Sequence, residues 1–123
     1  MAKKILIIDD DIDFREQAKV VLESQNYEVL EAESGAAGLK LIKEKQPDFI
    51  LLDVMMEEVD TGVRLADEIA ALHIKSPVVI LSSFANAAQQ IFDTMAVPVK
   101  EYLQKPLKAD ELLAMVKKYI KSE

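Results

Sequence analysis

Four polar sites follow short apolar runs along the chain, and their side chains together could handle a phosphoryl group. They are Asp9-Asp10, Asp53, Ser82-Ser83 and Lys105. Crowded carboxylates repel one another unless a cation compensates them, and Mg²⁺ prefers one or two protein carboxylates, waters and a phosphate oxygen. A lysine ammonium suits a phosphate oxygen, and a serine hydroxyl can donate a hydrogen bond to another. The acidic groups therefore predict a divalent cation, and the cation predicts a phosphoryl ligand.

The central carboxylate, Asp53, could also act as a nucleophile. It ends the apolar run at 49–52, and a carboxylate that attacks a phosphoryl group forms an aspartyl phosphate. Phosphoryl transfer needs mostly positioning and charge neutralisation, which a metal and a lysine supply. Each polar site alone is weak evidence, because an Asp after a strand, a lone Ser or a Lys-Pro turn is common. Their conjunction, in order and at the ends of apolar runs, predicts a phosphoryl site.

The apolar runs that carry these residues are predicted strands of a parallel sheet. A short apolar run bounded by turn residues is typical of a strand buried on both faces. Five strands are predicted, at 4–8, 27–32, 48–54, 78–81 and 102–104. Helical patterns alternate with them, which predicts one doubly wound α/β domain over residues 1–123, with five helices around a five-stranded parallel sheet. Ligands of such sheets bind at the carboxyl ends of the strands, where the four polar sites would meet.

The helix boundaries are predicted from capping residues. Asp13 fits an N-cap with Glu16 as its capping-box partner, and Ser34 fits the N-cap of the second helix. The third helix is predicted to open at Thr61. A fourth helix is predicted around 88–95, and the last carries apolar residues between 112 and 120.

Composition limits the class of protein. The chain has 123 residues, half of them apolar, which suits one domain with one core. It has no cysteine, no run long enough to span a bilayer and no signal peptide pattern, so we expect a cytoplasmic protein without a membrane partner. A net charge of −7 argues against direct binding of nucleic acid.

Four motifs give the chain a family resemblance. They are ILIIDD at 5–10, LLDVMM at 51–56, VILS at 79–82 and YLQKP at 102–106. With these motifs the whole chain resembles the receiver domain of two-component response regulators, which includes the single-domain chemotaxis regulator. The resemblance implies a flavodoxin-like fold with strand order 2-1-3-4-5.

The resemblance also implies a role for each residue of the acidic site. Asp53 is implied as the phosphoacceptor, and Lys105 as the lysine that binds the phosphoryl group. The cofactor implied is Mg²⁺ or Mn²⁺, bound directly by Asp10 and Asp53, by the backbone carbonyl of Met55, and by Asp9 largely through water.

Two further residues are implied to switch the conformation. Ser82 is the implied switch hydroxyl, which the strand register favours over Ser83, and Tyr102 stands where the family has its aromatic switch. The new phosphoryl oxygens would draw Ser82 inward and let Tyr102 turn in, which shifts the population between two states. The family often has a cis Lys-Pro bond, and we therefore expect Lys105–Pro106 to be cis.

The implied partners are a sensor histidine kinase or a phosphotransfer protein as donor, and an unidentified downstream protein as target. The surface of the fourth helix, fifth strand and fifth helix would be remodelled to bind that target or to form a homodimer. The chain would not be an enzyme acting on other substrates, because it would catalyse only its own phosphotransfer and dephosphorylation.

The chain departs from the family pattern next to the acceptor. Glu57 stands where the family usually has proline, and Glu58 makes the loop more acidic, so we expect this loop to be reshaped. Met55 and Phe84 flank the site, and we expect their side chains to overhang the phosphoryl group and slow its hydrolysis.

Three other functions remain compatible with parts of the pattern. A pseudo-receiver would keep the fold without phosphorylation, as a constitutive interaction module. A magnesium-dependent phosphatase would use Asp53 on an external substrate, but the chain has no residues for a substrate-binding cap. A flavodoxin-like FMN carrier would need a phosphate loop after the first strand. The sequence leaves open whether the domain works alone or within a longer regulator.

Overall fold

The computed structural model of this chain describes residues 2–54, 59–72, 74–86, 89–90 and 99–120. Its strands are β1 Lys4–Ile8, β2 Glu28–Ala32, β3 Phe49–Asp53, β4 Val78–Ser82 and β5 Val99–Gln104. Its helices are α1 Ile12–Glu23, α2 Gly35–Lys45, α3 Val59–Ala71 and α4 Ala109–Tyr119. All neighbouring strands are parallel, in the order β2-β1-β3-β4-β5. The predicted doubly wound α/β fold and strand order are confirmed, and most of the predicted helix around 88–95 lies outside the described residues.

The sheet separates two apolar cores. Successive strand side chains point to opposite faces, so Leu6 and Ile8 of β1 join one core while Ile5 and Ile7 join the other. The first core lies under α2 and α3, and the second lies under α1 and α4. The central strands β1, β3 and β4 are buried on both faces, which explains their unbroken apolar runs. None of the described helices is long and apolar enough to cross a bilayer.

The N-cap predicted for α1 was wrong by two residues. Asp11 caps this helix, because its side chain accepts hydrogen bonds from the backbone N–H groups of Asp13 and Phe14. The connection from β1 is so short that the helix already begins at Ile12, which places Asp13 inside the first turn. The N-cap predicted for α2 is confirmed, since Ser34 Oγ accepts from the Ala37 N–H at 3.2 Å.

Two other boundaries differ from prediction. The third helix begins at Val59 rather than at Thr61, and β5 begins at Val99, three residues before the predicted start at Tyr102. The early residues of β5 pair with β4 across a register shift at Val78. The pairing here is irregular, and the residues of an edge strand are partly polar. The first part of β5 therefore lacks the apolar run from which strands were predicted.

A polar cluster of Glu101, Lys118 and Tyr119 connects α4 to β5. Glu101 on β5 accepts hydrogen bonds from Lys118 Nζ at 2.6 Å and from the Tyr119 hydroxyl. The hydrogen bonds from Lys118 and Tyr119 lower the pKa of Glu101 below its usual range. The cluster therefore links the last helix to the edge strand on the surface that the family resemblance marks for output.

The close packing of Gly38 against Ile8 leaves no room for a side chain. A Cβ atom on Gly38 would lie 2.4 Å from Ile8 Cδ1 and 2.8 Å from Ile8 Cγ1. We expect Gly38→Ala to cost about 1–2 kcal/mol of unfolding free energy, because overpacking outweighs the helix propensity that alanine adds. Urea denaturation measures this loss, and an Ile8→Val substitution in the same chain should recover part of it.

Gly35→Ala is the matched control for that prediction. Its new Cβ would meet only the mobile end of Leu65, with Cδ2 at 3.2 Å, so stability should change little. A Gly38→Ala variant as stable as the unmodified protein would contradict the packing argument.

Candidate active site

The register of the sheet brings the predicted site residues to one edge. Ile8 pairs with Leu52, so the next residues, Asp9 after β1 and Asp53 at the end of β3, lie at the same level on neighbouring strands. Asp53 pairs with Leu81, and Ser82 comes next on β4. Lys105 follows β5, and its backbone N–H donates to the Ser82 carbonyl at 3.0 Å. The carboxyl ends of β1, β3, β4 and β5 therefore carry the acidic, hydroxyl and basic groups side by side.

Three carboxylates form a cluster at this edge. Asp9, Asp10 and Asp53 each offer one oxygen, and these atoms lie within 4.8 Å of one another. Asp9 is buried and Asp10 is exposed. Among the described residues, two buried oxygens, Asp9 Oδ2 and Asp53 Oδ1, have no hydrogen-bond partner. Buried carboxylate oxygens without partners destabilise a protein unless a cation or a donor reaches them.

Lys105 is the cation that faces this cluster. Its Nζ lies 2.7 Å from Asp53 Oδ1 and 3.8 Å from Asp9 Oδ2. The ammonium therefore forms an ion pair with a buried Asp53 oxygen and lies near the limit of ion-pair distance from Asp9. Burial acts to lower the pKa of Lys105, but the contact with Asp53 and the charge of Asp9 outweigh it, so the pKa is raised. The ammonium therefore stays charged beside both carboxylates.

The pKa of Asp9 is raised as well, which for a carboxyl group favours the neutral form. Burial raises the pKa of Asp9 from its ordinary value of 3.8 to about 6, and the negative charge of Asp53 adds to the shift. The Asp11 backbone N–H, which donates to Asp9 Oδ1 at 2.9 Å, and the charge of Lys105 oppose it. In the metal-free site the Asp9 carboxylate is therefore disfavoured mainly by its burial, in spite of the neighbouring lysine.

The residues fit a divalent cation. The donor set is all carboxylate oxygen, which Mg²⁺ and Mn²⁺ prefer. Within the part of the chain that the structure describes, one buried oxygen of Asp9 and one of Asp53 lack hydrogen-bond partners. A cavity of about 70 Å³ adjoins Asp9, Asp10 and Asp53, which is room for several of the waters that magnesium retains. The predicted carbonyl ligand, Met55, lies outside the described residues, as do Glu57 and Glu58 of the loop predicted to be reshaped.

The two serines differ in burial. Ser82 is buried, and its Oγ accepts a hydrogen bond from the Phe84 N–H at 3.0 Å, whereas Ser83 is exposed. Phe84 is half exposed, and with Met55 outside the described residues the overhang of the site by this pair stays a prediction. Tyr102 pairs with Ile80 of β4 and packs partly buried against the core under α2 and α3. The Lys105–Pro106 bond is cis, as expected from the family resemblance.

Two residues that support the site were missed from the sequence. Gln104 Oε1 accepts from the Ala85 N–H at 3.0 Å, and its Nε2 donates to the Ser83 carbonyl, so it ties the segment after β4 to β5. Arg15 donates from Nη1 to the Asp9 carbonyl at 2.6 Å. A sequence signal existed for Arg15, because a cation early in the helix after an acidic strand end can reach back to that end.

Comparison with known proteins places the chain in a family. The family model described as response regulator receiver domain matches residues 5–117. The chemotaxis protein CheY of Bacillus subtilis is 31% identical over 96% of this chain and 98% of its own length. The phosphate regulon transcriptional regulatory protein PhoB of Pseudomonas aeruginosa is 34% identical over 95% of this chain, which spans 51% of that protein.

A solved structure agrees in fold and in sequence. The response regulator TrrA of Thermotoga maritima, solved in complex with Mg²⁺-BeF, has a TM-score of 0.80 and 29% identity over 96% of this chain and 99% of its own. The strand order, the acidic edge and these matches lead to one conclusion. The chain belongs to the response regulator receiver domain family.

Proposed function

We propose that this chain is a phosphorylation switch that accepts a phosphoryl group on Asp53. The donor is the phosphohistidine of a sensor histidine kinase or a phosphotransfer protein, in the cytoplasm. The observation that carries the proposal is the contact of one ammonium, Lys105 Nζ, with both Asp53 and Asp9. A cation held there already faces the acceptor carboxylate, at the place where a phosphoryl group would add negative charge.

Asp53 would perform the transfer as nucleophile. One of its oxygens forms the new bond to phosphorus while the bond from phosphorus to the donor imidazole nitrogen breaks, and the electron pair of that bond returns to the imidazole. The Lys105 ammonium would move from the Asp53 carboxylate to a phosphoryl oxygen, which carries negative charge after the transfer. Asp10 and Asp53 would bind Mg²⁺, with Asp9 reaching it through water, and the bound metal would neutralise charge on the phosphoryl oxygens.

Ser82 and Tyr102 would transmit the effect of the new phosphoryl charge to the surface of the protein. A hydroxyl that accepts one hydrogen bond, as Ser82 Oγ does from Phe84, can still donate another to a phosphoryl oxygen. Inward movement of Ser82 would change the packing around Tyr102, which pairs with the neighbouring strand at Ile80. The surface formed by β5 and α4 would then bind a downstream protein or a second copy of this chain.

Phosphorylation of Asp53 has a direct test. The protein is incubated with Mg²⁺ and a small acyl phosphate or amidophosphate donor, and its intact mass is measured. We expect the unmodified chain to gain one phosphoryl group and Asp53→Asn to gain none, because an amide is not a nucleophile for this reaction. Asp67→Asn is the matched control, since Asp67 is exposed on α3, and it should be modified normally.

The other outcomes identify the competing functions. A chain that never gains mass, with any donor tried, is a pseudo-receiver. A chain that consumes the donor steadily without gaining mass is a phosphatase. Either result would overturn the proposal, and so would modification that persists in Asp53→Asn.

A further inference from the structure

The guanidinium of Arg15 lies in the first turns of α1 and joins two strand ends. Its side chain is only 12% exposed. Nη1 donates to the backbone carbonyl of Asp9 at 2.6 Å, and Nε donates to Glu31 Oε1 on β2 at 3.2 Å. The planar fork of the guanidinium therefore bonds two acceptors that belong to neighbouring strands.

The Asp9 carbonyl needs such a partner because it lies beyond the end of the ladder. The last residue pair of β1 and β2 is Ile8 with Ala32. The Asp9 N–H still donates to the Ala32 carbonyl at 3.0 Å, but the Asp9 carbonyl comes after that final bond. A strand-end carbonyl without a donor would be left to water or would rotate to find one. Arg15 holds it instead.

The position of this carbonyl affects two carboxylates at once. The Asp9 carbonyl oxygen and the Cα atoms of Asp9 and Asp10 lie in one planar peptide unit. Fixing the oxygen fixes that plane, and the plane limits the directions in which both side chains leave the backbone. Asp9 and Asp10 are two of the three members of the acidic cluster.

We infer that Arg15 is a positioning residue of the phosphorylation site, which orients the Asp9–Asp10 peptide so that both carboxylates face the cation. This inference rests on the proposed function, because it concerns the same metal site. Arg15 would not touch the metal or the phosphoryl group. Groups that orient metal ligands in this way typically change metal affinity by about 10–100-fold when they are removed.

A simpler role for Arg15 would be an ion pair that ties α1 to β2. Lys19 has that simpler role in the same helix, because its Nζ lies 3.9 Å from Glu31 Oε2 and its side chain is 45% exposed. Lys19→Ala is therefore the matched control: it removes a positive partner of Glu31 and leaves the contact with the Asp9 carbonyl. If the ion pair with Glu31 were the whole role of Arg15, both substitutions would leave Mg²⁺ binding unchanged.

The test measures Mg²⁺ affinity by calorimetric titration of the full chain, well below its melting temperature. We expect Arg15→Ala to weaken Mg²⁺ binding by about tenfold or more and Lys19→Ala to bind like the unmodified protein. Val116→Ala controls for lost stability, because Val116 is fully buried in the core under α1 and α4, far along the chain from the acidic residues. It should unfold more easily yet bind Mg²⁺ normally.

A second readout needs no metal. In Arg15→Ala without Mg²⁺, the backbone amide resonances of Asp10 and Asp11 should shift, while Lys19→Ala should leave them in place. Should Arg15→Ala fail to fold, Arg15→Lys takes its place. Lysine keeps the charge but cannot bond both acceptors as a fork, so Mg²⁺ should still bind more weakly than to the unmodified protein.

The outcomes separate this inference from the proposed function. If the unmodified chain binds Mg²⁺ and accepts a phosphoryl group, but Arg15→Ala, or Arg15→Lys in its place, does both equally well, only the inference is overturned. An equal loss of affinity in Val116→Ala would also overturn it. If the unmodified chain itself neither binds Mg²⁺ nor becomes modified, the proposed function fails, and the inference fails with it.

Discussion

Lys105→Met is expected to slow phosphoryl uptake by about 10²-fold, which is the size of effect that follows removal of one donor to a developing oxyanion. Uptake is measured as the rate of mass gain with a small phosphodonor at fixed Mg²⁺. The physical reason is the position of the ammonium, 2.7 Å from the Asp53 oxygen. Methionine keeps most of the length of the side chain but supplies no charge for the phosphoryl oxygens.

The same substitution should also destabilise the metal-free protein at neutral pH. Without the ammonium, Asp9 and Asp53 remain as like charges with buried oxygens that lack hydrogen-bond partners among the described residues. Removing one partner of a fully buried pair costs more, but the Lys105 side chain is 26% exposed, so we expect a loss of about 2 kcal/mol. Added Mg²⁺ should restore more stability to Lys105→Met than it adds to the unmodified protein.

Lys118→Met is the control for this experiment. Lys118 also forms a close ion pair, with Glu101 at 2.6 Å, but its side chain is 61% exposed. Exposed pairs contribute little, so its melting temperature and uptake rate should stay near those of the unmodified chain. Normal phosphoryl uptake in Lys105→Met would contradict the role proposed for Lys105.

Asp9 should make the metal-free protein less stable as pH rises. The native carboxyl has a pKa of about 6, against an ordinary value of 3.8. Between these two values the native state holds a proton that the unfolded chain has lost, so the free energy of unfolding falls with increasing pH. Each unit of pKa shift corresponds to about 1.4 kcal/mol. The shift from 3.8 to about 6 therefore corresponds to a total loss of about 3 kcal/mol.

Urea denaturation across this pH interval, with and without Mg²⁺, measures the effect. Other carboxylates also titrate there, so the informative quantity is the difference between the unmodified protein and Asp9→Asn, which has no proton to lose at this position. That difference should change across the interval in the metal-free protein. Mg²⁺ should add little stability at the acidic end and more at the neutral end, because it competes with protons for the carboxylates. A difference that stays constant with pH would show that Asp9 titrates normally.

The outline of the fold could be predicted because it depends on local patterns. The run at 49–52 is apolar throughout because β3 is buried on both faces, and such a run can be recognised without its neighbours. Alternation of strands with helical patterns then implies parallel pairing, and each observed strand pair confirms it. Strand boundaries that depend on neighbouring strands were harder to predict. For example, β5 begins at Val99, three residues before the predicted start.

For the site, too, the features that depend on local sequence could be predicted, and those that depend on distant residues could not. The sequence alone predicts that Asp9, Asp53 and Lys105 lie at the ends of strands. The parallel sheet brings these strand ends to one edge. The sequence does not predict which of the two adjacent carboxylates is buried, because Asp9 and Asp10 are the same residue type in the same run. The sheet and its covering helices bury Asp9 and leave Asp10 exposed.

By itself, the sequence determined that a parallel sheet would present acidic, hydroxyl and basic groups at one edge, because strand periodicity and chain order are local properties. Only the tertiary structure decided which atoms meet there. The contact of Arg15 with the Asp9 carbonyl requires α1 to lie across β1 and β2. The contact of Lys105 with two carboxylates requires β5 to lie next to β4, with β3 and β4 between it and β1. Such contacts join residues far apart in the chain, so the register and packing of the whole sheet create them.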